Sequence, residues 1–177
     1  MKPAAAALPA IAAIGVGLAV SVPSMSATSA DSATRVSCTA AQLRPGVAAE
    51  QGATGHLQMV IALHNLSATS CHLTGYPGLR LLDAHDKPMT TKVVDGGTYD
   101  APSYTPRTVT LQPGGVASFA VAWDHIPGST GTSCPAAQKL AILPPGSSDH
   151  LTIDAPVDAC GGVVHVSAIA RGSNGPS

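Results

Sequence analysis

Apolar and polar side chains alternate from His56 to Asn65. Leu57, Met59, Ile61 and Leu63 fall on one side, and His56, Gln58, Val60, Ala62 and His64 on the other. A period of two marks a β-strand with one face in a core. The unbroken odd-numbered row places this strand centrally, with both histidines on the solvent face. Residues 116–123 repeat the pattern, with Phe119, Val121 and Trp123 on one face and mostly small residues on the other. Shorter apolar runs follow the same logic at 79–82, 108–111, 140–143, 151–153 and 163–169. No window shows apolar spacings of three and four with caps, so no amphipathic helix is expected. Residues 136–140, Ala-Ala-Gln-Lys-Leu, are expected to make one helical turn. Residues 38–55 read as a short strand, an Arg44-Pro45-Gly46 turn and a polar loop.

Five Pro-Gly pairs punctuate the chain, beginning at Pro45, Pro77, Pro113, Pro127 and Pro145. Proline presets φ for the second residue of a turn, and glycine accepts the positive φ that a type II turn demands next. Eight to ten short strands separated by such turns point to an all-β, antiparallel sandwich. Residues 95–107 form the longest stretch without strand character. Loops of that length often carry contacts, which makes Tyr99 and Tyr104 the candidate contact residues.

Composition narrows the picture at three points. Residues 1–30 have the layout of a secretory signal peptide: a basic Met1-Lys2 start, an uncharged apolar run over 8–22, and small residues ending in Thr28-Ser29-Ala30. Cleavage is expected after Ala30, with Ser26 as the alternative. The competing reading is an uncleaved anchor, since residues 4–22 just reach the roughly 18 residues of a span, but Pro9 interrupts them. Residues 31–37 are then a flexible linker, 38–171 the β-sandwich, and 172–177 a disordered Gly/Ser/Asn/Pro tail. Cleavage removes Lys2 and no acid, moving the net charge from −1 to −2. No basic field for nucleic acid and no stable membrane span remains.

Aromatic residues are only 3% of the chain, so the core is thin and staples would help it. Four cysteines behind a signal peptide read as disulfides. Of three connectivities, Cys38–Cys71 and Cys134–Cys160 are favoured, closing loops of 33 and 26 residues. Each would contribute roughly 3–4 kcal/mol by loop entropy. A metal site would want paired Cys-x-x-Cys spacing, which is missing.

Other chemistry is weakly signalled. His56 and His64 share a face but stand roughly 26 Å apart along a strand, too far for one ion. His64 and His72 flank a turn, which leaves weak copper or zinc binding as an alternative. Ser147, Asp149 and His150 lie close in sequence, yet Asp149 and His150 of an extended chain point to opposite faces and cannot form a relay. The aspartates cluster in turns, where their side chains bond nearby backbone. Asn65-Leu66-Ser67 has the form of a glycosylation site but reads as a polar turn. Tyr76, beside Pro77-Gly78, is expected to pack over that corner.

Several blocks taken together resemble the secreted actinobacterial family called domain of unknown function 4232. They are Cys38-Thr39-Ala40-Ala41-Gln42-Leu43, then Leu63-His64-Asn65, then Cys71-His72-Leu73-Thr74-Gly75-Tyr76-Pro77-Gly78. Leu111-Gln112-Pro113-Gly114-Gly115, Cys134-Pro135, Pro144-Pro145-Gly146 and Cys160 continue the match. The resemblance implies export and an immunoglobulin-like β-sandwich, and assigns no reaction. Asp86 stands where the family usually has glycine, so that turn is expected to differ in type. No lipid-acceptor cysteine is present.

The expectation is therefore a secreted, non-enzymatic domain without a cofactor. It would bind a cell-envelope or extracellular protein or glycan. A secreted hydrolase with a loop-built site and a weak histidine-based metal binder are the alternatives.

Overall fold

The two strands that alternate most cleanly in the sequence lie next to each other in the largest sheet. A computed structural model describes residues 36–98, 105–128 and 131–175. In chain order its strands are β1 (Leu43–Ala53), β2 (His56–Asn65), β3 (Cys71–Leu73), β4 (Gly78–Leu82), β5 (Lys92–Asp95) and β6 (Val109–Leu111). They continue with β7 (Val116–Asp124), β8 (Ala137–Leu143), β9 (Leu151–Val157), β10 (Val163–Val166) and β11 (Ala170–Arg171). The largest sheet runs β1-β2-β7-β10-β5, with β11 also on β7; β4-β8-β9 and β3-β6 form the others. β10 pairs with β5 in parallel, and the other ladders are antiparallel. The described fold is all-β, with two disulfides, Cys38–Cys71 and Cys134–Cys160. The predicted signal peptide and residues 31–35 of the linker lie outside the described residues.

The odd-numbered residues of β2 and β7 make one wall of the core. Met59, Ile61 and Leu63 join Phe119, Val121 and Trp123 there, facing Leu81, Leu140, Ile142 and Val157 of the smaller sheet. The even row of β2 differs from expectation. His56 and His64 are exposed, but Gln58, Val60 and Ala62 are 3%, 2% and 3% exposed. Their partners on β7 are Ala122, Ala120 and Ser118, small enough for further backbone to approach. The C-terminal segment does approach: Gly172 N donates to Val116 O, and Gly175 N to Ser118 Oγ. A Cβ on Gly175 would stand 3.4 Å from a Val60 methyl. Of the tail expected to be disordered, residues 172–175 thus follow β7, and 176–177 lie outside the described residues.

Three local expectations are corrected. The polar loop after Arg44 is part of β1, 11 residues long, joined to β2 by a two-residue turn at Thr54 (φ 50°) and Gly55 (φ 89°). Positive φ at both positions is the hairpin geometry that matches strand twist. Pro45 is tolerated in β1 because the strand is at a sheet edge, with a bulge at Ala48. The helical turn expected at 136–140 is instead mostly β8, which pairs on both sides, with β4 and β9. Five paired positions with each neighbouring strand outweigh the weak helix preference of Ala, Gln and Lys. Finally, only two Pro-Gly pairs make the glycine turn. Gly114 (φ 75°) and Gly146 (φ 83°) sit third in turns closed by Gly115 N–Gln112 O and Ser147 N–Pro144 O. Pro45-Gly46 lies inside β1, and Gly78 opens β4.

Asp86 does not alter its turn in the expected way. It adopts φ 61°, the left-handed region that glycine favours and aspartate tolerates. Its carboxylate accepts from Lys139 Nζ at 2.7 Å, which holds the ammonium pKa above its usual value. That contribution to stability is present below the ordinary lysine range and is lost as pH rises through the raised folded value. Beside it, Asp83 Oδ1 accepts from Lys87 N and His85 N, and the Lys87 bond leads in lowering its pKa. The Asp83 contribution is present above the ordinary carboxylate value and fades as pH falls through the lowered one.

Asn65, at the end of β2, ties three segments together. It is fully buried, and its Nδ2 donates to Thr69 O (2.9 Å), Leu111 O (3.2 Å) and Gln112 O (3.2 Å). Its Oδ1 accepts from Ser67 N and Ser67 Oγ. Its backbone pairs with Gly114 and Gly115 of the Pro-Gly turn. The amide of this sequon-like triplet is therefore spent on internal carbonyls. Asn65→Ala should destabilise the domain by about 2–3 kcal/mol, because buried carbonyls lose their donor. Chemical denaturation measures this, and a loss below about 0.5 kcal/mol would show that the hub does not hold the turn.

Candidate functional site: a cleft where the two sheets part

The edge strands β1 and β9 approach one another, and near their ends the sheets separate. The pairing fixes what faces the gap. Glu50 stands opposite Met59, and Leu57 opposite Trp123. Cross-strand partners share a sheet face, so Glu50 lies on the same face as the core row while remaining exposed at the edge. From the other sheet, Ala137 stands opposite Val157. Between them opens a cleft of about 340 Å³, lined by Glu50, Gln51, Leu57, Gln58, Met59, Trp123, Ala136, Ala137, Pro156, Val157 and Asp158.

The walls are mainly apolar, and the polar groups are carboxylates and amides. Trp123 is 4% exposed, and its Nε1 donates to Asp158 Oδ1 at 2.9 Å. The other Asp158 oxygen lies 3.9 Å from His125 Nδ1. The Trp123–Asp158 bond fixes both the indole and the carboxylate in the cleft. Outside the lining, His56 Nδ1 meets Asp124 Oδ1 at 2.5 Å, across a β2–β7 residue pair. Glu50 makes no ion pair or side-chain hydrogen bond with the described residues.

Tyr99 and Tyr104, the expected contact residues, lie outside the described residues. Cys38 and Cys71 are buried in the core, and Cys134 and Cys160 are half-buried. The histidines do not converge: among the described residues, no group of three His, Cys, Asp or Glu side chains could hold a metal ion. His64 is exposed, His72 Nδ1 is buried without a partner, and His165 Nδ1 lies 3.2 Å from Gly96 O. Ser147 Oγ is held by its own turn, accepting from Asp149 N and donating to Asp149 O. It also accepts from Ala40 N, which makes it a structural hydroxyl linking this turn to the N-terminal segment. Tyr76 is half-buried against the core.

Sequence reasoning missed the cleft. Glu50 fell in a presumed loop, and Asp158 read as one turn aspartate among many. Their proximity depends on strand order, which no local spacing encodes. The face alternation of β7, which aims Trp123 with Phe119 and Val121, was the one available signal.

Two disulfides point to an oxidising, extracellular type of environment. Among the described residues no helix is long and apolar enough to cross a membrane. No curated protein matches the sequence. The profile of the family described as a domain of unknown function, DUF4232, matches residues 38–170, and the chain belongs to that family.

Proposed function

We propose that this protein is an exported, non-catalytic binding module whose ligand site is the cleft between β1–β2–β7 and β8–β9. The observation that carries this reading is the cleft's lining. It offers a concave, largely apolar surface with a few polar groups, the common design of a small-ligand site. It includes no serine, cysteine, lysine or histidine; its acid–base groups are the carboxylates Glu50 and Asp158, and Asp158 is tied to the Trp123 indole. Export is supported by the signal-peptide layout of residues 1–30 together with the two disulfides. The ligand would be a component of the cell envelope or of the extracellular medium.

A fragment screen followed by amide chemical shifts tests this reading. Binding fragments should perturb residues 50–51, 57–59, 123, 136–137 and 156–158 together. Perturbations that cluster elsewhere, or turnover of a chromogenic ester or glycoside by the purified protein, would overturn it.

A further inference from the structure

The cleft is charged as well as apolar, and its charge has one sign. Glu50 is on β1 and Asp158 directly follows β9, so the two carboxylates come from opposite walls, and the lining contains no cationic side chain. Glu50 has no counter-charge among the described residues. Asp158 uses Oδ1 to hold the Trp123 indole, and Oδ2 has His125 only at 3.9 Å. Leu57, Met59, Pro156 and Val157 supply apolar walls, and Trp123 adds an aromatic one. Carboxylates beside an aromatic ring favour a cation, through charge attraction and the ring quadrupole. An anion there would meet two like charges, and a neutral polar group would gain little from them.

We infer that the cleft binds an organic cation: a protonated amine or guanidinium carried on an apolar stem. The stem would lie along Leu57, Met59 and Val157, and the cationic head would sit between Glu50 and Asp158. This inference rests on the cleft being the ligand site. A lysine or arginine side chain of an extracellular peptide has this chemistry, and so does a free alkylamine.

Three probes of nearly equal size separate the two readings: n-hexylamine, n-hexanol and n-hexanoate. Titrations of the purified protein at about pH 8, above the range where a free imidazole titrates, are read by calorimetry. Fluorescence of Trp123, the single tryptophan, gives a second readout from within the cleft. Hexylamine should bind about tenfold more tightly than hexanoate, with hexanol between them, and the preference should shrink as salt rises. Glu50→Gln, on the exposed face of an edge strand, should reduce the preference for the amine. Adding Asp158→Asn, which keeps an acceptor for the indole N–H, should abolish it while hexanol binding persists. Equal binding of all three probes, or tighter binding of hexanoate, would overturn the cation inference and leave the cleft as a ligand site. No heat and no fluorescence change with any probe would overturn both readings. An amine preference that survives the double substitution would place the cation elsewhere and overturn the inference.

Discussion

Phe119→Ala should destabilise the domain by about 3–5 kcal/mol, the upper range for deleting a buried ring. Phe119 is the only phenylalanine in a chain that is 3% aromatic, and it is fully buried in β7. Its directly opposed partner on β2 is Ile61, and the β7 residue two positions before it on the same face is Ala117. Neither neighbour can swing into the space a ring leaves. The main chain cannot follow either, because β7 is hydrogen-bonded to β2 on one side and to β10 and β11 on the other. The cavity term therefore adds almost fully to the lost transfer energy. Domains of this size are stable by only about 5–15 kcal/mol, so the denaturant midpoint should fall by about a fifth or more. Phe119→Leu, which keeps most of the volume, should cost under about 1.5 kcal/mol. Trp123, four residues further along and the last residue of the same face in β7, reports unfolding by fluorescence. Equal small losses in both variants would mean that the ring does not fill the core.

The same strand shows why some of this fold could be read directly from the residues. β2 and β7 carry long apolar rows because each faces a core along its full length, and burial of that kind imposes the period of two. β1 carries no such row. Past Val47 it is an exposed edge strand, so its side chains are free to be Ala, Glu, Gln and Gly, and only its backbone pairing makes it a strand. Nothing local distinguishes that from a loop. The start of β8 misleads in the opposite direction, since Ala-Ala-Gln-Lys is locally helix-compatible, and tertiary pairing overrides it. The even face of β2 misleads more quietly. Val60 and Ala62 look like an average solvent face until the small row on β7 lets the C-terminal segment lie over it.

The candidate site was less legible for a related reason. Its charged members, Glu50 and Asp158, are 108 residues apart in sequence, one on β1 and the other just past the end of β9. Each is unremarkable alone, and they become a pair only because β1 and β9 are neighbouring edges. Asn65 is the instructive contrast. Its position within a short polar turn hinted at local hydrogen bonding, but its bonds to Leu111 and Gln112 reach across 46 and 47 residues. Family resemblance pointed to Leu63-His64-Asn65, and the structure supplies the physical reason for the asparagine: its one amide nitrogen donates to three backbone carbonyls.

Removing the Cys38–Cys71 bridge, by Cys38→Ala with Cys71→Ala, should cost about 4–5 kcal/mol, near the top of the range for a native disulfide. The loop it closes spans 33 residues, which alone accounts for roughly 4 kcal/mol of denatured-state entropy. Packing adds to this, because Cys38 is 0% and Cys71 3% exposed and both belong to the core cluster. The matching change at Cys134–Cys160 should cost less, about 3 kcal/mol: its loop spans 26 residues and its cysteines are only half-buried. The two bridges also differ in what else restrains their segments. Residues 36–38 are held to β3 by just two backbone bonds, Cys38 N–His72 O and His72 N–Val36 O, each 3.0 Å. Without the bridge, those bonds, the Ala40 contact with Ser147 and the Gln42 bonds to Leu66, Ser67 and Thr69 must keep the N-terminal segment docked. Amide hydrogen exchange over residues 36–42 should therefore rise in the first double variant and stay unchanged in the second. Denaturant unfolding gives the free energies, and exchange gives the location. A larger loss at Cys134–Cys160, or protection at 36–42 that survives removal of Cys38–Cys71, would show that the N-terminal segment is held by packing and not by the bridge.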